Sequence, residues 1–222
     1  TPDGGSTGLD STFGSAGLAS LPIESTWSIL RGGIAQQSDG KIIAAVSSDS
    51  RIDFHAWQIT RLNPDGTVDA SFGTNGVVRT TLPSGDFALI GKVLVQPDGN
   101  FLVGSISSYN GEGTGALARY DADGTPDTSF GTNGFADMSF VGGWIEDMTL
   151  RPDGKILLGI VANGTTYLRA AQLNANGSPD TTFGTGGVVT VYSANDTVQA
   201  IQRTADGQIT LTGSRGRVAR LH

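Results

Sequence analysis

Asp127-Thr128-Ser129-Phe130-Gly131-Thr132-Asn133-Gly134 decides how the chain is read, because the pattern occurs four times. The other copies are Asp10-Ser11-Thr12-Phe13-Gly14-Ser15-Ala16-Gly17, Asp69-Ala70-Ser71-Phe72-Gly73-Thr74-Asn75-Gly76 and Asp180-Thr181-Thr182-Phe183-Gly184-Thr185-Gly186-Gly187. Their leading aspartates lie 59, 58 and 53 residues apart. Self-similarity at such a period marks a repeat architecture, in which one supersecondary unit cannot bury its apolar face alone. In Asp-x-[Ser/Thr]-Phe-Gly-x-x-Gly the aspartate can accept N–H bonds from two or three residues on, as an Asx turn or N-cap. Phe13, Phe72, Phe130 and Phe183 are then expected to anchor the turn in the core between repeats, each stabilising by roughly 1.5–3 kcal/mol. The glycine at position five is expected at positive φ, where a β-carbon would clash. A catalytic group would not need four copies, so the octapeptide is read as a fastener.

Two further markers share the period. One is an Asp-Gly between apolar runs: Gln37-Ser38-Asp39-Gly40-Lys41-Ile42, Gln96-Pro97-Asp98-Gly99-Asn100-Phe101, Arg151-Pro152-Asp153-Gly154-Lys155-Ile156 and Thr204-Ala205-Asp206-Gly207-Gln208-Ile209. Asp-Gly in that setting signals a tight hairpin with a primed turn. The other closes each repeat: Ile59-Thr60-Arg61-Leu62, Leu117-Ala118-Arg119-Tyr120, Ala171-Gln172-Leu173 and Val218-Ala219-Arg220-Leu221. Each repeat thus holds about four strands; in the second copy they are expected near residues 77–82, 89–96, 101–107 and 116–120. Four short antiparallel strands per repeat are the unit of a propeller blade. The expected fold is an all-β, four-bladed β-propeller in one domain, 1–222, with blades at 1–62, 63–120, 121–173 and 174–222. Thr1-Pro2-Asp3-Gly4 matches Asn63-Pro64-Asp65-Gly66. The C-terminal strand is therefore expected to join the N-terminal repeat and close the ring, leaving no sheet edge exposed. The chain opens directly on repeat material and is expected to be part of a longer protein.

Composition narrows the function. Glycine supplies 33 of 222 residues and charged residues only 16%, which suits strands and turns. The net charge is −7 and no Lys/Arg cluster occurs beyond Arg215 and Arg217, so nucleic acid and anionic membrane surfaces are poor partners. There is no cysteine, which removes disulfides, thiolate metal sites and cysteine nucleophiles. No apolar run approaches the roughly 20 residues of a membrane-spanning helix.

These residues resemble the delta-60 repeat family of bacterial β-propellers, most cleanly in Asp65-Gly66-Thr67-Val68-Asp69-Ala70-Ser71-Phe72-Gly73-Thr74-Asn75-Gly76 and Gln96-Pro97-Asp98-Gly99. The first copy departs by three extra residues between Gly4 and Asp10, and the fourth loses Pro and Lys around Asp206-Gly207. The resemblance implies an extracellular or cell-surface bacterial protein, often with other modules attached, and implies no catalytic residues.

Asp121-Ala122-Asp123-Gly124-Thr125-Pro126-Asp127 offers oxygens at alternating positions with a glycine for a sharp turn, as a calcium loop does. Asp121, Asp123 and Asp127 are the candidate ligands, and calcium is the only cofactor considered. The alternative is a set of Asx turns, since the other copies carry Asn63 and Asn174 and no glutamate follows at EF-hand spacing. Asp86, Glu112, Glu146 and Asp147 are expected to be solvated surface charges. His55 and His222 are the only histidines, too few for a zinc site. Against a repeated framework, eight segments differ between copies: 21–33, 49–57, 82–92, 108–115, 140–147, 163–167, 192–197 and 214–217. A scaffold that repeats its strands and varies its loops carries function in the loops. Trp27, His55, Trp57, Tyr109, Trp144 and Tyr167 fall there, suited to stacking on sugar rings; the alternative for the tryptophans is packing between blades. The expected function is non-catalytic recognition or adhesion, binding a glycan or protein of another cell. The alternatives are a structural spacer or oligomerisation head, forming homo-oligomers through attached modules, and, third, a glycan-active enzyme.

Overall fold

The computed structural model describes residues 8–23, 29–48, 56–82, 89–107, 115–162, 167–191 and 196–221. Within them the chain is all-β and propeller-like: four antiparallel sheets of three or four strands. The first sheet holds β1 (Ile29–Gln36), β2 (Ile42–Ser48), β3 (Ala56–Leu62) and β4 (Val77–Thr81). The second holds β5 (Leu89–Val95), β6 (Phe101–Ser107) and β7 (Leu117–Tyr120), with Phe135 bridging Ala118 where a fourth strand would lie. The third holds β8 (Gly143–Leu150), β9 (Ile156–Ala162), β10 (Leu168–Leu173) and β11 (Val188–Val191). The fourth holds β12 (Val198–Arg203), β13 (Ile209–Gly213) and β14 (Val218–Leu221).

The Asp-Gly hairpins join the first two strands of every sheet. Gly40 N–H bonds to Gln37 O at 3.0 Å and Gln37 N–H to Lys41 O at 2.8 Å, and the same pair of bonds recurs at Gln96, Arg151 and Thr204. Only the glycine of each turn takes positive φ. The turn is thus the three-residue kind with a left-handed glycine, not the two-residue primed turn expected, because Asp39 spends its carboxylate on the Lys41 N–H at 3.1 Å instead of adopting positive φ.

The sheets also divide differently from the expected blades. Val77–Thr81 pairs with β3, Thr60 opposite Val77 and Ala56 opposite Thr81, and so ends the first sheet instead of opening the second. The octapeptide causes this. Asp69 N–H bonds to Arg61 O and Arg61 N–H to Gly76 O, which reverses the chain in place and lays the outgoing strand along the incoming one. Boundaries at 62 and 173 therefore cut through sheets, whereas 120 falls at the end of the second sheet's last strand.

The core lies between blades. One cluster joins Ile43, Trp57 and Ile59 of the first sheet to Ile90, Val93 and Phe101 of the second. A second joins Leu102 and Leu117 to Ile145 and Met148, and a third joins Leu157 and Ala170 to Val198 and Ile201. Each blade thus has a forward face covered by the next. The octapeptide clasps this contact. Gly14, Gly73 and Gly131 donate N–H bonds to Asp65 O, Asp123 O and Asn176 O at 2.6, 3.1 and 2.8 Å, each on the turn that follows the next blade's third strand. The phenylalanine ring covers that turn's glycine: a β-carbon on Gly124 would lie 2.7 Å from Phe72, and one on Gly177 2.9 Å from Phe130. Gly124 also has φ +93°, whereas Gly99, at φ +91°, would meet only Ala122 at 3.4 Å. Gly124→Ala is therefore expected to lower stability by about 1–3 kcal/mol more than Gly99→Ala, since it adds overpacking to the shared backbone strain. Paired urea-melting curves measure the difference.

Contacts run from the first sheet to the second, third and fourth through β1, β5, β8 and β12; no pair of strands from the first and fourth sheets makes an extended contact among the described residues. Among the described residues β14 pairs with β13 alone, and the N-terminal clasp is seated on the first blade through Gly14. Among the described residues the sheets are not closed into a ring; residues 1–7 and His222, on which the expected closure falls, lie outside them.

Candidate functional site

Antiparallel pairing sorts the chain into two ends. The end at which a sheet's first strand starts is also where its second strand finishes, its third starts and its fourth finishes. Six of the variable segments (49–57, 82–92, 108–115, 163–167, 192–197 and 214–217) connect strand ends there, and those at 21–33 and 140–147 run into the starts of β1 and β8 at the same end. The Asp-Gly turns and the octapeptides all lie at the opposite end. One end is thus repeated and the other variable, and the variable end is the candidate functional face.

Trp57 does not belong to that face as a surface group. It is 0% exposed, on the third strand between Ser47 and Thr80, within the cluster shared by the first two blades. Burial on both sides of a central strand makes it a core plug. Trp144 and Tyr167 are both half-buried at the variable end of the third blade, Trp144 opposite Val161 on β8 and Tyr167 just before β10. Trp27, His55 and Tyr109 lie outside the described residues.

The aspartates proposed for calcium sit at the repeated end and do not converge. Asp123 Oδ1 accepts the Thr125 N–H at 2.9 Å. Asp127 Oδ1 accepts the Ser129 N–H at 2.9 Å, and its Oδ2 takes Arg119 Nε at 2.6 Å. Asp121 contributes its backbone, through Thr125 O and Gly124 N–H. Among the described residues no group of three or more His, Asp or Glu side chains could hold a metal ion. The carboxylates of Asp123 and Asp127 form Asx turns, drawn to neighbouring amides and one guanidinium. The Thr125 amide, followed by its hydroxyl, holds the Asp123 carboxyl below the usual range. For Asp127 burial pushes upward but is outweighed by Ser129 and Arg119.

The Arg119–Asp127 pair belongs to a series that the sequence reading missed. Arg61 Nε holds Asp69 Oδ2 at 2.8 Å, joined by Lys41 Nζ at 2.8 Å. Gln172 Nε2 and Lys155 Nζ hold Asp180 Oδ2, the latter at 2.6 Å. Lys41 leads the groups holding Asp69 below the ordinary carboxylate range, and Lys155 does so for Asp180. Both arginines also donate to the next blade's turn, Arg61 to Ala122 O and Arg119 to Ala175 O. They lie over the phenylalanine rings, Arg61 at 4.8 Å from Phe72 and Arg119 at 4.6 Å from Phe130. The available signal was a constant spacing: 61 to 69, 119 to 127 and 172 to 180 are each eight residues.

Two carboxylates near the variable end serve the frame. Asp147, expected as a solvated charge, is 14% exposed: Oδ1 pairs with Lys92 Nζ at 2.9 Å and Oδ2 accepts the Ile201 N–H at 2.9 Å, linking three blades. Asp196 is fully buried and accepts from Ser214 Oγ at 3.1 Å and Arg215 N–H at 3.0 Å. A cleft of about 510 Å³ along the third blade is lined by Phe140, Arg169, Thr185, Val188 and Thr190. A second of about 220 Å³ is lined by residues including Arg79, Tyr120, Asn133 and Phe135. Neither contains Trp144 or Tyr167. No helix among the described residues is long and apolar enough to cross a membrane.

Comparison with known proteins bears on the fold. The model of the family described as "Domain of unknown function (DUF5122) beta-propeller" matches residues 37–72, 96–130 and 151–183. No curated protein matches the chain. Among solved structures, the chain is similar to an exo-β-1,3-galactanase from Phanerochaete chrysosporium, with a TM-score of 0.52 and 12% identity over 87% of this chain and 44% of that one. It is also similar to a GH43 β-1,3-galactosidase, with a TM-score of 0.52 and 9% identity over 90% of this chain and 75% of that one. The chain thus spans less than half the length of the galactanase, and identities this low speak for the fold alone. Three of the four repeats match a propeller repeat family, and the sheets have the propeller arrangement that the match implies.

Proposed function

We propose that the chain is a non-catalytic recognition or adhesion module of a bacterial surface or secreted protein, binding a glycan or protein through the variable end of its blades. The observation that carries this reading is the sorting of the repeats. The segments that differ between copies lie at one end of the strands, and the repeated octapeptides and Asp-Gly turns lie at the other. Repeated elements clasping the blades at one end leave the loops of the other free to diverge, and binding residues concentrate on such loops. The resemblance of the octapeptide and Asp-Gly elements to delta-60 repeats supports the surface setting. Trp144 and Tyr167, with Trp27, His55 and Tyr109, supply the aromatic groups that stack on sugar rings; Trp57 takes no part. Asp147 and Asp196 hold the frame and supply no acid–base pair.

A glycan array, together with capture of envelope proteins by the immobilised chain, tests the proposal. The expected result is a defined set of ligands whose binding falls at least about tenfold in Trp144→Ala, the loss of one well-packed aromatic contact, with the melting temperature within a few degrees of wild type. Absence of binding to every glycan and envelope protein would sink the reading.

A further inference from the structure

Each blade meets the next through the same positions, so an unmade contact shows itself by its exposed members. Ile34 on β1 stands three residues before its hairpin turn, as Val93, Met148 and Ile201 do on β5, β8 and β12. Those three are 2%, 2% and 4% exposed, packed under Gly33, Gly104 and Gly159 of the preceding blade. Ile34 is 70% exposed. On β14, Val218 stands where Ile59, Leu117 and Ala170 stand on the other third strands. Those are fully buried against the next blade and Val218 is 69% exposed. Phe183 is half-buried where Phe72 and Phe130 are fully covered. Leu9 and Leu18, flanking the first octapeptide, are 49% and 64% exposed. Leu9, Leu18, Ile34 and Val218 are the large exposed apolar side chains among the described residues, and all four sit at the two ends of the arc.

The charges at these ends are complementary in the same way. Arg220 is exposed at the place that Arg61 and Arg119 occupy on β3 and β7. Asp10 is exposed at the place of Asp69 and Asp127, with Oδ1 bonded to Thr12 N and Oγ1. In the three other blades the edge of the third strand is covered by the apolar residue that follows the octapeptide: Val77 opposite Thr60, Phe135 opposite Ala118 and Val188 opposite Ala171. On β14 the corresponding position is Ala219, and the one octapeptide whose following residue pairs with no third strand is Asp10–Gly17, followed by Leu18.

We propose that the arc docks a second copy of this chain head to tail. The Asp10–Leu18 clasp of one copy adds beside β14 of the other, Leu18 opposite Ala219, with Arg220 taking Asp10 across the interface. Val218 of one copy and Ile34 of the other are buried by the same contact. The occupant is a second copy because each edge presents what the other lacks: a clasp with its aspartate Asp10 on one side, and an uncovered third strand with its arginine Arg220 on the other. An unpaired strand edge is a ready template for such addition. A head-to-tail contact of this kind is heterologous, and it repeats until a ring closes.

Since the chain has no cysteine, cross-linking tests the register directly. Leu18→Cys and Ala219→Cys, prepared separately and mixed under oxidising conditions, are expected to give a disulfide-linked heterodimer. The wild-type mass by light scattering is expected to rise with concentration from 22.8 kDa to at least twice that value. Val218→Asp, at a site exposed in the single chain, is expected to weaken association about tenfold or more without altering circular dichroism. A Leu18→Cys/Ala219→Cys double variant that cross-links within the monomer, while the mixed single variants do not cross-link, would show that the chain closes on itself and overturn the proposal. A mass that stays at that of the monomer with no cross-link in either preparation would overturn it as well.

Discussion

Phe72→Ala is expected to cost about 3–5 kcal/mol, the range for emptying a fully buried aromatic site. Phe72 is 0% exposed and packed under three groups. Its ring lies against Gly124 of the next blade's turn, 6.1 Å from the Phe101 ring and 4.8 Å below the Arg61 guanidinium. The cavity cannot collapse readily, because Gly73 N–H to Asp123 O and Arg61 to Ala122 O hold the two walls at fixed separation. Phe130→Ala should behave alike, since Phe130 repeats the arrangement with Gly177, Arg119 and Asn176. Phe183→Ala should cost no more than about 1–2 kcal/mol, because its half-buried ring removes less apolar surface from water. Urea melting of the three variants checks this. If Phe72 and Phe183 proved equally costly in the monomer, the phenylalanine would be acting within its own blade and not as a clasp on the next.

That contrast also shows how much of the molecule could be read before its fold was known. The strands of the second copy were legible almost to the residue: expected near 77–82, 89–96, 101–107 and 116–120, they run at 77–81, 89–95, 101–107 and 117–120. Apolar runs between Asp-Gly turns leave little freedom about where a strand can lie. Which strands share a sheet was not legible, because a periodic sequence repeats equally whether the unit is cut before or after the octapeptide. Only the reversal of the backbone at Asp69–Gly76 decides the matter, and that depends on hydrogen bonds to Arg61. Trp57 was misplaced for a related reason. Near the variable segment at 49–57 it reads as a loop aromatic, whereas pairing with both Ser47 and Thr80 makes its strand central. The Asp121 loop reads equally as a calcium loop or a run of Asx turns, because both want oxygens at alternating positions; the pairing of Asp127 with Arg119 could be drawn only from the structure. At the candidate face the sequence showed where the repeats disagree. The common end to which those segments belong follows from the antiparallel order of the sheets and could be drawn only with it.

Asp69→Ala is expected to cost about 3 kcal/mol, as removing one partner of a buried ion pair does. Both members are largely shielded, Arg61 and Asp69 each with 9% of the side chain exposed. The substitution leaves the Arg61 charge without its carboxylate and removes the acceptor of the Ser71 N–H and hydroxyl. Asp69→Asn keeps an oxygen for the Ser71 turn and should recover part of the loss, which separates the turn from the charge. The two contributions also differ in pH dependence. Lys41 first, then Ser71 and Arg61, hold the Asp69 carboxyl below its usual range. A group depressed on folding stabilises fully above its unfolded pKa, near 4, and loses that stability as pH falls toward the folded value. Wild-type stability should therefore be flat in this contribution from pH 7 to about 5 and decline below about 4, as the unfolded chain takes up protons that the folded chain refuses. Asp180, held down chiefly by Lys155, adds to the same decline. In Asp69→Asn the decline should be shallower by the share of one carboxylate. Urea midpoints of wild type and Asp69→Asn at steps from pH 7 to 3 measure this; parallel curves would show that the Arg61–Asp69 link adds geometry to the clasp but no charge stabilisation.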